Sequence, residues 1–236
     1  MAAVAARELR DGEVVFVGIG LPNLASNLAR ATHAPNLVLV YESGAVGARP
    51  ERSPLSIGDP ALAAGALMVC GMADVFQLLL QGGRIDVGFL GGAQVDRYGN
   101  INTTVIGDYA RPHIRLPGSG GAAEIAAHAR RTLVVGRLER RAFPERVDFV
   151  TSPGHRWRGR RREEFGMGGA GPVRVITDKC VLECDPDGEL SLASLYPGVE
   201  VEDVRGSVGW PLRVRDPLER APLPDDAVLR FLREHT

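Results

Sequence analysis

The sequence predicts an α/β fold: an open, mainly parallel sheet flanked by helices, with a short antiparallel extension near the C-terminus. Three observations carry this. Apolar, β-branched runs alternate with helical segments from Met1 to Val135. Those runs are continuous rather than alternating, as in strands buried on both faces. After Val147 the helical segments thin out and short strand-like runs follow one another.

In order, Ala2 to Leu9 reads as a short helix that breaks at Asp11-Gly12. Glu13 to Val17 is a buried strand, and Gly18-Ile19-Gly20-Leu21-Pro22 is a tight loop. A helix begins near Asn23 and runs to about Ala31, with Leu24 and Leu28 on one face. Asn36 to Tyr41 is a strand, Ala73 to Leu80 a helix, and Arg84 to Leu90 a strand. Ala122 to Arg130 is helical and Thr132 to Val135 a strand. Val147 to Val150, Val173 to Ile176, Val181 to Cys184 and Glu189 to Leu195 are short strands. Pro211, Pro217, Pro222 and Pro224 mark a stretch, irregular or extended, before a final helix over Ala227 to Arg233. No repeat or low-complexity linker divides the chain, so one domain over residues 1–236 is expected.

Composition narrows the function classes. The 236 residues carry a formal charge of −1, which favours neither nucleic acid nor an anionic membrane. The three cysteines, Cys70, Cys180 and Cys184, do not read as a disulfide framework. The Met1 to Arg10 segment lacks the apolar length of a signal peptide or a membrane span, so a soluble, cytoplasmic protein is expected. Arg156-Trp157-Arg158-Gly159-Arg160-Arg161-Arg162 holds one aromatic and runs straight into Glu163 and Glu164. It reads as a solvated loop rather than a phosphate-binding face. Without a CxxC pair or a companion histidine, Cys180 and Cys184 do not suggest zinc, and no metal is expected.

The residues that carry chemistry sit at strand ends. Glu42, in Val40-Tyr41-Glu42-Ser43-Gly44, follows the apolar run Leu37 to Val40. Ligands of open α/β sheets bind beyond the carboxyl ends of strands, which makes Glu42 a candidate; the alternative is a Glu that caps a turn. Gly91-Gly92-Ala93-Gln94-Val95-Asp96 follows the next strand, where small residues let a ligand approach the main chain. The alternative there is a tight turn, and Asp96 to Asn100 looks like one. Gly118-Ser119-Gly120-Gly121 opens a helix whose first N–H groups could bind an oxyanion; the alternative is a flexible loop.

Taken in order, these motifs resemble the β-type subunits of class I coenzyme A transferases of the glutaconate CoA-transferase kind. The likeness includes Ile106-Gly107-Asp108-Tyr109 and Asp148-Phe149-Val150-Thr151-Ser152-Pro153-Gly154 and spans nearly the whole chain. The resemblance implies that Glu42 carries coenzyme A covalently. It also implies that Gly91, Gly92, Ala93, Gln94, Gly120 and Gly121 form the acyl-CoA and oxyanion loops. It further implies an α-type (A-type) partner, with acyl-CoA and a short carboxylic or dicarboxylic acid as substrates. No permanently bound cofactor is expected, coenzyme A being a substrate. Hydrolysis or decarboxylation of an acyl-CoA, and a non-catalytic ligand-binding role, are the alternatives.

Overall fold

The alternating helix and strand signals of the N-terminal third become a parallel sheet. The computed structural model describes residues 1–50 and 52–235, which form two compact units. The first comprises Met1–Phe89, His128–Arg130 and the C-terminal segment from Leu223. It begins with α1 (Ala2–Arg7), β1 (Val14–Phe16) and α2 (Leu21–Thr32). There follow β2 (Val38–Val40), β3 (Ala45–Val46), β4 (Met68–Val69) and α3 (Met72–Asp74). β5 (Val87–Leu90) closes it, its last residue starting the second unit.

β1 lies between β2 and β5 and is parallel to both, with Val15 opposite Leu39 and Val87. β3 and β4 extend the sheet antiparallel. The middle strands are apolar because both faces are covered, and Val15, Leu39 and Val87 are fully buried. α2 starts at Leu21, earlier than the sequence suggests, because Pro22 fits the first turn, where its missing N–H costs no bond. Its inner face buries Ala25, Leu28 and Ala29, and Leu28 alone contributes about 2 kcal/mol. The helix expected over Ala73–Leu80 is wider than an α-helix. Gln81 N–H donates to Phe76 O at 2.9 Å and Arg84 N–H to Leu79 O at 2.8 Å, both i→i+5. The C-terminal helix (Asp226–His235) also belongs to this unit.

The second unit comprises Leu90–Ala127 and Arg131–Pro222. It opens with the hairpins β6 (Gln94–Val95)–β7 (Ile101–Asn102) and β8 (Val105–Gly107)–β9 (Pro112–Arg115). α4 (Ala122–His128) leads to β10 (Arg131–Val135), and a small hairpin joins β11 (Arg156–Trp157) to β12 (Arg160–Arg161). β13 (Pro172–Ile176), β14 (Cys180–Cys184) and β15 (Leu190–Leu195) follow, then α5 (Val201–Gly206) and β16 (Arg213–Arg220). β10 pairs parallel with β13, while β13, β14 and β15 pair antiparallel in turn. This is the antiparallel extension that the sequence predicts.

One expectation fails here. Val147–Val150 is not a strand: its apolar residues pack, but its backbone does not join a ladder. The adjoining Thr151 and Ser152 instead bond Ile101, whose N–H donates to Ser152 O at 2.9 Å. The proline-rich stretch takes the extended form that the sequence allows, in part as a strand. β16 holds Pro217 and, among the described residues, pairs only with β15, so it is an edge, where a residue without N–H is tolerated. The register slips between Leu192 and Ser194, whose partners are Val214 and Glu219.

Candidate active site

Glu42 is placed by a turn with little freedom. The preceding Tyr41 is fully buried and donates its phenol to Asn23 Oδ1 at 2.7 Å. Burial pushes that phenol up to about 12, so it stays a neutral donor. Tyr41 N–H donates to Ala45 O at 2.9 Å and Gly44 N–H to Tyr41 O at 3.0 Å, closing a tight loop around Glu42 and Ser43. Gly44 has φ +108°, and a Cβ there would collide with the Cys70 carbonyl oxygen. Cys70 N–H in turn donates to Gly44 O at 3.1 Å. The Glu42 side chain leaves this loop half-buried, with no hydrogen bond or ion pair among the described residues. It stands beyond the carboxyl end of β2, where α/β sheets hold ligands. Desolvation, with Asp74 adding, holds the neighbouring Cys70 thiol above its ordinary value, which disfavours its thiolate.

The glycine loops belong to the second unit. Gly91 and Gly92 follow β5; a Cβ on Gly92 would collide with Ile101 and press on Asn102 O, while one on Gly91 would lie a tight 3.2 Å from Val135 O. Ala93 N–H donates to Asn102 O at 2.9 Å. Gln94 is buried, and its amide serves the fold. Its Oε1 accepts from Asn102 Nδ2 at 2.7 Å and from Asp148 N–H at 3.0 Å, while Nε2 donates to Asp148 Oδ2 at 3.1 Å. The Asp96–Asn100 turn is as the sequence predicts. Asp96 Oδ1 accepts from the Tyr98 and Asn100 N–H groups, both at 3.0 Å. Burial pushes the Asp96 carboxyl up despite these bonds. Asn100 Oδ1 accepts Gly154 N–H at 2.8 Å, so two motifs far apart in sequence are packing partners.

The third loop is tied at its start and open at its end. Gly118 N–H donates to Thr103 O at 2.8 Å, and Thr103 Oγ1 returns a bond to Gly118 O at 2.7 Å. Ser119 O accepts Ala122 N–H at 2.9 Å, starting α4. The Gly120 and Gly121 N–H groups have no backbone acceptor among the described residues.

Two features escape the sequence reading. Arg162, taken with the solvated arginine run, is buried; it donates to Gly154 O at 3.0 Å and to Ala126 O at 2.8 Å. Those carbonyls are distant in sequence, so no local signal marks it. The second feature is a cavity of about 440 Å³ whose lining includes Gly92, Ala93 and Gln94 as well as Val135, Gly136 and Arg137. Arg137 had a signal of the kind that marked Glu42, standing just past the end of a buried strand. Among the described residues no three His, Cys, Asp or Glu side chains are grouped to hold a metal, and no helix is long and apolar enough to cross a membrane.

In the first unit a carboxylate stands on a fixed strand-end turn, as acyl transfer to a carboxylate requires; in the second, the Gly120 and Gly121 N–H groups are donors with no backbone acceptor among the described residues. The sequence model of the family described as Coenzyme A transferase matches residues 1–207, and the chain belongs to that family, as a B-type subunit. The B-type subunit of 3-oxoadipate CoA-transferase from Pseudomonas knackmussii is 50% identical over 99% of this chain and 90% of its own length. The crystal structure of glutaconate coenzyme A-transferase from Acidaminococcus fermentans matches with a TM-score of 0.90 at 36% identity, over 99% of this chain and 92% of that one. The decarboxylase AibA/AibB matches at 28% identity with a TM-score of 0.85, over 98% of this chain and 91% of that one.

Proposed function

We propose that residues 1–236 act as one β-subunit domain of a heteromeric CoA-transferase. It moves coenzyme A between an acyl-CoA and a short dicarboxylic acid of the 3-oxoadipate or glutaconate type. The observation that carries this reading is Glu42: a half-buried carboxylate, unpartnered among the described residues, on a turn that Gly44 and Cys70 hold in place. The substrate class follows the names of the relatives at 50% and 36% identity.

The Glu42 carboxylate attacks the thioester carbonyl, the C–S bond breaks, and coenzyme A leaves as a thiolate. The product is a mixed anhydride between the acyl group and Glu42. The thiolate attacks the Glu42 carbonyl, the anhydride C–O bond breaks, and the free carboxylate departs. A glutamyl-CoA thioester remains, and a second carboxylate reverses the sequence. One thioester replaces another, so neither ATP nor a bound cofactor enters the balance. Each attack places negative charge on a carbonyl oxygen. The resemblance assigns that charge to the loops Gly91–Gln94 and Gly120–Gly121. The Ala93 N–H is already given to Asn102 O, whereas the Gly120 and Gly121 N–H groups have no backbone acceptor among the described residues, and one such donor contributes about 3 kcal/mol. The free thiols of Cys70, Cys180 and Cys184 agree with a reducing, cytoplasmic setting.

The test is trapping. Heteromer incubated with acyl-CoA and then with borohydride or hydroxylamine should carry a modification at Glu42, read by peptide mass spectrometry. An unmodified Glu42, or full transfer by Glu42→Ala, would sink the mechanism. The likeness to AibA/AibB favours a second reading, decarboxylation of an acyl-CoA. That reaction, like hydrolysis, consumes acyl-CoA without an acceptor acid, so product analysis with and without acceptor separates them.

A further inference from the structure

We infer that the cavity beside Gly92–Gln94 receives the distal carboxylate of a dicarboxylic acid, with Arg137 as the cation that binds it; this rests on the CoA-transfer reading above. The cavity, about 440 Å³, is of the size that holds small metabolites. Ile106, Ile114, Leu116, Val134 and Phe143 give it apolar walls. Three charged groups line it: Arg137, Glu139 and Arg141. Glu139 and Arg141 neutralise each other, with Nε 2.8 Å from Oε2. Arg137 has no ion pair or hydrogen bond among the described residues, so its charge is the uncompensated one.

Apolar walls with one free guanidinium suit a molecule with an uncharged middle and an anionic end. The planar fork of arginine binds a carboxylate through two parallel hydrogen bonds, which fixes direction as well as charge. The placement agrees. Gly91-Gly92 leaves the end of β5, and Gly136-Arg137 leaves the end of β10, both at the carboxyl ends of parallel strands. An acid whose reacting carboxylate lies at the glycine loop would extend its chain along the apolar wall. Its far carboxylate would then end at Arg137. The rival anion is a phosphate of coenzyme A, which the test separates.

Arg137 is exposed, so Arg137→Gln should fold as the wild type does. The heteromer with its A-type partner is assayed with two acceptors of equal length, 3-oxoadipate and 3-oxohexanoate. The expected result is a rise in KM for 3-oxoadipate of about tenfold or more, the effect of one charge-assisted bond, with the KM values for 3-oxohexanoate and acyl-CoA little changed. Arg137→Lys should recover part of the loss. An equal rise for both acids, a rise for acyl-CoA alone, or no change would overturn the assignment. Calorimetric binding of 3-oxoadipate to the wild-type and Arg137→Gln heteromers reads the same contact without turnover. If no acid accepts coenzyme A, the transfer reading falls while the binding arm still decides the role of Arg137.

Discussion

Glu42 lies just beyond β2, and Gln94 opens β6 after the Gly91-Gly92-Ala93 segment that leaves β5, so each polar side chain follows a buried parallel strand. Their surroundings differ. Gln94 is enclosed by Asn102 and Asp148, which take both ends of its amide. Glu42 is half-buried and unpartnered among the described residues, while its main chain is fixed from both sides. A polar residue at a strand end is thus not a site by position alone. It becomes a candidate when the backbone is over-determined and the side chain is left over, because the fold then holds the group in place without consuming its chemistry.

Four experiments would break or sharpen that contrast. Glu42→Gln should lower kcat for transfer by about 10³-fold or more, the scale of losing a covalent nucleophile, while thermal unfolding stays within about 0.5 kcal/mol of wild type. Gln94→Leu should show the reverse ranking. It leaves the buried Asn102 amide without its side-chain acceptor, and urea unfolding should show a loss of about 1–3 kcal/mol. If Gln94→Leu kept its stability and raised the KM for acyl-CoA, the side chain would belong to the site after all. Gly44→Ala should cost about 2 kcal/mol, read by the urea midpoint, because φ is +108° and the Cys70 carbonyl blocks a Cβ.

The smallest effect concerns His155, which is distant in kind from both residues. Its Nε2 lies 2.8 Å from Pro172 O, and burial pushes its pKa below the ordinary 6.5. The unfolded chain therefore binds this proton more readily than the folded one. The contribution to stability is complete above pH 6.5 and fades as pH falls through the folded value. His155→Gln should flatten the decline in urea stability below pH 6.5, compared at several pH values with wild type.

Much of the α/β frame was legible because it is written locally. Leu37 to Val40 and Ile85 to Leu90 are apolar without alternation, which marks strands covered on both faces. The Asp96–Asn100 turn was legible from its Asp, Gly and Asn. Other features depend on partners far along the chain. Arg162 is buried through Ala126 and Gly154 carbonyls, and a run of five arginines gives no hint of which one turns inward. Val147–Val150 has strand composition but lacks a neighbour to pair with. The Gln94 amide looked available for ligand because Asp148 is 54 residues away.

The two outer strands also differ. β16 offers Arg213 and Arg215 to Asp187 and Asp185, at 2.7 and 3.0 Å, so its rim is charged and interlocked. β4 offers Met68 and Val69, 43% and 65% exposed, with Leu67 before them at 77%. A bare apolar edge is a template for another strand, whereas a charged one repels it. A preparation of this chain alone should therefore cloud with rising concentration, and an added charge at Val69 should keep it clear longer than one at Val214.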